Sequence, residues 1–179
     1  MEKFLTIFNT NFLRWSLFST RPKIAVVAGT FDHLHIGHKL MISKAFEIAD
    51  HVIIGIMRDD AISELHKICR RNVEPLEKRV SKLTVYVRKL LSKYGNKTYE
   101  IAKIQGPYDV VLERKDIDYI IVSDETLPRA VMINVLRRKK GLNMLKIIVI
   151  PIVRDSNGRP ISAHRFRTGE LPYNSNVGV

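Results

Sequence analysis

The chain has 179 residues, of which 45% are hydrophobic and 27% charged, and this composition predicts one domain of an ordinary soluble protein. Its single cysteine, Cys69, excludes an intrachain disulfide framework and a zinc site with several cysteines, and it favours a reducing, cytoplasmic location. The formal net charge of +12 predicts attraction to anions such as nucleotides, acidic metabolites or nucleic acid, although a solvated basic surface would have the same charge.

The first 20 residues are apolar, but Asn9, Asn11 and Arg14 interrupt the run. No stretch reaches the length of a membrane span, and no small-residue cleavage site follows. We predict that residues 1–20 form an extension, either an extra helix or a weakly ordered segment; surface anchoring and an upstream start codon are the alternatives. The predicted domain then covers residues 21–172, and residues 173–179 form a tail.

Short runs rich in Ile and Val alternate with segments of helical periodicity along the rest of the chain. The apolar runs predict five strands, at residues 23–28, 51–57, 98–104, 119–122 and 145–150. Amphipathic stripes with proline and glycine end signals predict helices at residues 37–49, 75–94 and 128–140. This alternation predicts an α/β fold: a single doubly wound, Rossmann-like domain with a five-stranded parallel sheet.

Ligands of such sheets bind beyond the carboxyl ends of the strands, near the point where the strand order reverses. The loops that follow the five predicted strands therefore meet at one edge of the sheet. The chain contains neither Gly-x-Gly-x-x-Gly nor Gly-x-x-x-x-Gly-Lys-Ser/Thr, which argues against a standard dinucleotide oxidoreductase and against a P-loop enzyme.

The loop after the first predicted strand carries the most informative motif of the chain. Residues 28–39 read AGTFDHLHIGHK, with His35 and His38 at the start of the next helix and Gly29 where another group can approach the backbone. A helix N-terminus attracts phosphate, and imidazoles placed there donate hydrogen bonds to a developing phosphoryl charge. For a His-x-x-His pair alone, a helix cap on the surface would be the simpler interpretation. Because Gly-Thr-Phe-Asp at residues 29–32 lies just upstream at the end of the strand, we favour a phosphate site.

This motif resembles that of the His-x-Gly-His nucleotidyltransferases and, within them, the phosphopantetheine adenylyltransferases of the archaeal and eukaryotic type. Two further segments, in the order found in that family, support the resemblance. Residues 121–126 read IVSDET, similar to the family's Val-Ser-Glu-Glu-Thr, and residues 161–167 read ISAHRFR, similar to its Ile-Ser-Ser-Ser/Thr-x-Ile-Arg. Ala163 and His164 stand where that pattern has hydroxyl residues.

The resemblance implies transfer of the adenylyl group of ATP to 4′-phosphopantetheine, which gives dephospho-coenzyme A and pyrophosphate without a covalent enzyme intermediate. It also implies Mg²⁺ brought by the ATP phosphates, and a monomer or small homo-oligomer without nucleic acid or a membrane span. The alternatives are adenylyl or cytidylyl transfer to nicotinamide mononucleotide, flavin mononucleotide or glycerol phosphate. A nucleic-acid-binding module is a remote alternative, because the basic stretches at residues 67–71 and 137–140 lack interleaved aromatics.

The resemblance also assigns roles to the residues of the first motif. His38 is predicted to donate to the α-phosphate in the transition state, with His35 holding the ATP phosphates beside it. Thr30 is predicted to lie between ATP and 4′-phosphopantetheine, where Gly29 allows a close approach. Asp32 is expected to shape the turn.

Basic residues further along the chain are matched to the acceptor phosphate. Lys67 is predicted to meet it as a catalytic cation, with Arg70 and Arg71 as substitutes and a solvated basic loop as the alternative. Arg79 is predicted either to brace this loop or to bind the phosphate of 4′-phosphopantetheine.

The two later motifs are matched to ATP. Ser123 and Glu125 are predicted at the ribose and adenine edge, although Glu125 would serve equally as the acidic cap of the next helix. Ser162 is predicted at a helix N-terminus that holds the β- and γ-phosphates, beside Arg165 and Arg167, of which Arg167 is favoured for pyrophosphate. Asn134 and Arg137 also match family positions, with roles that the sequence leaves open.

Overall fold

Five parallel strands form one sheet in the computed structural model, which describes residues 21–65 and 73–172. The strands are β1 Ile24–Gly29, β2 His51–Met57, β3 Thr98–Ile104, β4 Tyr119–Ser123 and β5 Lys146–Ile150. Their order is β3-β2-β1-β4-β5, and every neighbouring pair is parallel. This arrangement confirms the predicted Rossmann-like α/β fold. The predicted ends at residues 1–20 and 173–179 lie outside the described residues, so that division of the chain stays a prediction.

Helices connect the strands on both faces of the sheet. They are α1 Ile36–Ile48, α2 Asp59–Leu65, α3 Leu76–Tyr94, α4 Asp109–Glu113, α5 Leu127–Lys139 and α6 Ala163–Arg167, with 3-10 turns at Asp32–Leu34 and Asp124–Thr126. The three long helices were predicted; α2 and α4 were not, because they are too short to show a full amphipathic period. Among the described residues, no helix has the length and apolar character needed to cross a membrane.

Two apolar layers cover the sheet, one on each face. On one face, Ile54 of β2 packs with Phe46 of α1 and Leu83 of α3. On the other face, Val26 of β1 packs with Ile133 of α5. The inner strands β1, β2 and β4 are buried on both faces as predicted, whereas the outer strand β3 alternates with exposed positions.

The topology decides where a ligand can bind. From β1 the chain moves outward through β2 to β3, and it then returns to place β4 on the other side of β1. The strand order reverses at this point, so the loops that follow β1 and β4 diverge and leave a crevice at the carboxyl edge of the sheet. The first two motifs of the sequence lie in these two loops.

Candidate active site

The loop between β1 and α1 is a tight turn that contains two left-handed residues, Phe31 (φ 51°) and His33 (φ 48°). This conformation costs about 1–3 kcal/mol for a residue other than glycine, so it persists only where the surroundings fix it. Phe31 is fully buried and places its ring against the edge of the His38 ring, with the ring centroids 5.3 Å apart. The turn therefore gives His38 a rigid aromatic support.

Asp32 fixes this turn to two distant segments of the chain. Its side chain is completely buried. Oδ1 accepts a hydrogen bond from the backbone N–H of Glu74 at 2.9 Å, and Oδ2 accepts one from Nη1 of Arg167 at 2.5 Å. The turn role expected for Asp32 is therefore present, but neither partner was foreseen from the sequence.

The two histidines of the motif stack on each other, with ring centroids 3.8 Å apart and an angle of 26° between the planes. Burial lowers the pKa of His35 to about 4, against the opposing effect of the Asp32 carboxylate. Burial, and then the neighbouring His35, lowers the pKa of His38 well below its usual range. Both rings are therefore neutral at pH 7, and each has one N–H donor and one acceptor nitrogen.

One nitrogen of each of these rings has no hydrogen-bond partner in the described part of the chain. Nδ1 of His35 and Nδ1 of His38 are buried, and neither has a hydrogen-bond partner among residues 21–65 and 73–172. A buried polar atom without a partner costs about 1–3 kcal/mol, so such atoms are rare where no ligand binds.

The histidines line a cavity of about 720 Å³ at the carboxyl edge of the sheet. This volume falls within the range of about 300–1,000 Å³ that is typical of small-molecule sites. The structure brings eight of the predicted residues to its walls: Gly29, Thr30, His35, His38, Ser123, Glu125, Ser162 and Arg167. Arg129 also lines the cavity, although no site contact was predicted for it from the sequence. Its spacing of four positions from Glu125 was the available signal, because residues so spaced share one side of a helical segment.

Ser123 stabilises the chain where β4 ends. Its backbone N–H donates to Oγ1 of Thr126 at 3.0 Å, and its own Oγ lies 3.2 Å from the same atom. Glu125, between them, is exposed at the cavity wall. It also lies in the first turn of a 3-10 segment that leads into α5, a position suited to an acidic cap, and both roles of Glu125 stay predictions.

Arg79 is one of the two largest fully buried side chains of the described residues. Its guanidinium donates to the carbonyl oxygens of Thr30 at 2.6 Å, Met57 at 2.8 Å and Glu74 at 2.8 Å, and to Oδ1 of Asp59 at 2.5 Å. These bonds join the ends of β1 and β2 to the start of α3. The bracing alternative is therefore present, while a contact with the acceptor phosphate stays a prediction.

The arginines of the last motif point in different directions. Arg167 lines the cavity. Arg165 is not among the residues of the cavity walls, since its guanidinium donates to Asp155 at 2.7 Å, to the carbonyl oxygen of Pro160 at 2.9 Å and to Glu170 at 3.3 Å. The structure does not bring Arg165 to the site, and its contact with ATP stays a prediction. Lys67, Arg70 and Arg71 lie outside the described residues.

Comparison with known proteins gives consistent matches. The family described as cytidylyltransferase-like matches residues 26–169, a range that contains all three motifs. The phosphopantetheine adenylyltransferase of Methanopyrus kandleri is 43% identical over 84% of this chain and 92% of that protein, and that of Methanosarcina barkeri is 41% identical over 84% and 89%. A crystal structure of a protein with unknown function from Archaeoglobus fulgidus is 33% identical and superimposes with a TM-score of 0.59 over 72% of this chain and 88% of that chain.

Proposed function

This chain belongs to the phosphopantetheine adenylyltransferase family, and we propose that it transfers the adenylyl group of ATP to 4′-phosphopantetheine, giving dephospho-coenzyme A and pyrophosphate. One observation carries the proposal at the site. Two neutral, stacked imidazoles, each with a buried Nδ1 that has no partner among residues 21–65 and 73–172, line a cavity of about 720 Å³ whose walls also include the β4 loop and Arg167.

The proposed reaction is an in-line displacement. A phosphate oxygen of 4′-phosphopantetheine attacks the α-phosphorus of ATP, the new P–O bond forms, and the bond to the oxygen bridging the α- and β-phosphates breaks. Pyrophosphate leaves with that electron pair. The protein contributes positioning and charge stabilisation rather than a nucleophile.

His38 donates its ring N–H to a non-bridging oxygen of the α-phosphate, where negative charge develops in the transition state. A neutral imidazole suits this role, because it donates a fixed hydrogen bond in a site with little water and needs no proton from solvent. His35 holds the phosphates beside it. Thr30 offers its hydroxyl and backbone N–H between the two substrates, and Gly29 leaves room for the phosphorus.

Charge at the far end of ATP comes from Arg167, which holds the departing pyrophosphate, with Ser162 beside it at the start of α6. Ser123 and Glu125 face the ribose and adenine from the β4 loop. Lys67 meets the acceptor phosphate as a point charge, with Arg70 and Arg71 as substitutes.

We propose that Mg²⁺ enters the site bound to the ATP phosphates, as part of that substrate. In the ranges that the structure describes, no group of three or more His, Cys, Asp or Glu side chains could hold a metal ion. Phosphate oxygens and water would then supply most of its ligands, as is usual for this ion.

We further propose that the protein works in the cytoplasm as a monomer or small homo-oligomer, without nucleic acid. The single cysteine supports a reducing compartment.

An acceptor panel tests the proposal. The protein is incubated with MgATP and 4′-phosphopantetheine, nicotinamide mononucleotide, flavin mononucleotide or glycerol phosphate, and pyrophosphate release is measured. We expect release only with 4′-phosphopantetheine, with dephospho-coenzyme A identified by mass, since a polar site rejects acceptors that leave its buried groups unpaired. A second panel replaces ATP by CTP. Faster release with either mononucleotide, or with CTP, would contradict the proposal.

A further inference from the structure

Asp32 is not among the residues assigned a contact with a substrate, but its contacts give it another role. We propose that it is a positioning residue, which sets the place of Arg167 relative to His38 and so aligns the pyrophosphate end of ATP with the α-phosphate. The proposal rests on the proposed function for the identity of the nucleotide.

The ion pair between Asp32 and Arg167 joins a fully buried carboxylate to a partly buried guanidinium. The Asp32 side chain is 0% exposed and that of Arg167 is 14% exposed, with 2.5 Å between Oδ2 and Nη1. Removal of one member of such a pair leaves the other charge without its main partner. Nε2 of His33 also lies near Asp32, 3.9 Å from Oδ1. The position of the Arg167 guanidinium is therefore set by the Asp32 carboxylate.

The same carboxylate belongs to the frame that holds the catalytic turn. Its second oxygen binds the backbone N–H of Glu74, whose carbonyl oxygen accepts from Arg79. Arg79 also binds the carbonyl oxygen of Thr30, next to the buried Phe31 that supports His38. One side chain thus connects the cation at the far end of ATP with the histidine at the reacting phosphorus.

The helix that carries Arg167 depends on this connection. α6 has five residues and packs on the turn of Asp32–Leu34. Besides the ion pair, Phe166 stacks on His33 and His35, with centroid distances of 6.0 and 6.2 Å. A helix this short has little stability of its own, so its docking contacts determine where its side chains lie.

The chain offers a matched control on the same helix. Arg165 pairs with Asp155 at 2.7 Å, and these side chains are 10% and 11% exposed. This pair resembles Asp32–Arg167 in distance and burial, but neither of its residues lines the cavity. If ATP binding depended only on the docking of α6, Asp32→Asn and Asp155→Asn would both weaken it. If Asp32 positions Arg167, only Asp32→Asn should weaken it.

The test is a double-mutant cycle read by the equilibrium Kd for MgATP, measured by calorimetry for the wild type, Asp32→Asn, Arg167→Ala and the double variant. We expect Asp32→Asn to weaken ATP binding by about tenfold or more, as for a lost charge-assisted hydrogen bond. On the Asp32→Asn background, Arg167→Ala should then weaken binding by less than about threefold, because the two residues act as a unit. Asp155→Asn should lower the Tm but change Kd by less than about twofold.

Three results would overturn the proposal. Independent effects that multiply in the double variant would show that Asp32 does not act through Arg167. An unchanged Kd in Asp32→Asn would show that the carboxylate does not position the cation. A lower Kd would show that it competes with phosphate instead.

Steady-state pyrophosphate release separates positioning from general damage. In Asp32→Asn, KM for ATP should rise and kcat should fall, while KM for 4′-phosphopantetheine stays within about twofold, since the Asn oxygen still accepts from the backbone N–H of Glu74 and only the charge that holds Arg167 is lost. Equal rises in both KM values would overturn the proposal. If Asp32→Asn does not fold, Asp32→Glu keeps the charge but displaces it by one methylene, and the same selective rise in KM for ATP is expected. A wild type that binds ATP without reacting with 4′-phosphopantetheine would refute the proposed function, and the Kd cycle would still decide the role of Asp32.

Discussion

At the amino ends of the strands, charged side chains are bonded to the protein itself. Asp118 accepts hydrogen bonds from Nη1 and Nη2 of Arg21, both at 2.9 Å, and from the backbone N–H of Ile24 at 2.9 Å. At the carboxyl ends, the same sheet presents His35 and His38, whose Nδ1 atoms are buried and have no partner in the described ranges. The contacts of Asp118 complete the fold at the first edge, while His35 and His38 line the cavity at the second.

Arg79 and Arg137, both fully buried, extend the comparison. Arg79 braces the carboxyl edge beside the catalytic turn. Arg137 serves the opposite edge, where its guanidinium binds the carbonyl oxygens of Asn143 at 2.6 Å, Arg114 at 2.9 Å and Val111. An arginine at a family position can therefore serve the fold at either edge of the sheet, and the contacts of its side chain show which role it has.

Replacement of one histidine at each edge of the sheet should give the largest difference in kcat. His38→Ala should lower kcat about a hundred- to a thousandfold, or about 2.7–4 kcal/mol, because it removes a preorganised donor to the transition state. The Kd for ATP should change much less. The control is His51→Ala at the amino edge, where Nδ1 lies 2.8 Å from Oγ1 of Thr98, and it should leave kcat within about twofold. Pyrophosphate release and ATP titration measure both variants; equal losses in kcat and affinity for His38→Ala would contradict the assignment.

Arg137→Met should change stability and leave catalysis intact. The substitution leaves three carbonyl groups without their donor and removes a fully buried cation from its place, so we expect a loss of about 3 kcal/mol in the free energy of unfolding. For a chain of this size, that loss lowers Tm by roughly 6–12 °C in a thermal scan. Below the transition, kcat and KM should match the wild type. A large fall in kcat with an unchanged Tm would remove the distinction between the edges.

His35→Gln should flatten the acid dependence of stability. In the unfolded chain the imidazole binds a proton near its usual pKa of 6.5, but in the folded protein it does so only near pH 4. The unfolded state therefore binds more protons between these values, and the stability present above pH 6.5 is lost as the pH falls towards 4. Relative to His35→Gln, the wild type should lose about 2 kcal/mol more between pH 8 and pH 5. Urea unfolding at both pH values measures this difference; parallel curves would contradict the low pKa.

Glu125→Gln should have the smallest effect, and it decides between the two roles of that carboxylate. If Glu125 accepts hydrogen bonds from sugar hydroxyls, KM for ATP should rise about fivefold, or about 1 kcal/mol, with little change in Tm. If it is instead an acidic cap of the following helix, Tm should fall slightly while KM stays constant. Steady-state kinetics and a thermal scan on the same preparation distinguish these results.

The five strands could be predicted from the sequence, and their predicted ends differ from the observed ones by one residue at most. Parallel strands that are buried on both faces leave continuous runs of Ile and Val, which are easily recognised. The short helices α2 and α4 left no such pattern. The position of β3 at the outer edge, with its exposed alternate residues, depends on the topology and not on its own composition.

For the site, eight of the predicted residues line the cavity, but the sequence could not show which side chains pair with each other. Asp32 and Arg167 are separated by 135 positions, and nothing local indicates that they meet. Arg165 and Arg167 have the same side chain two positions apart on α6, which puts them on different sides of a helix. Only the tertiary arrangement shows that Asp155 and Glu170 hold the first and Asp32 the second.

The central place of β1 has a consequence for the order of folding. β1 pairs with β2 through Ile24 and His51, close in sequence, but its pairing with β4 brings Ala25 opposite Tyr119. Closing the longer loop costs more chain entropy, so we expect the β1–β2–β3 half to assemble first and β4 and β5 to join it later. The nucleotide crevice spans the junction of these halves and also requires Arg167. During synthesis, we expect full affinity for ATP only after Arg167 has left the ribosome, so ATP binding would report the joining of the two halves.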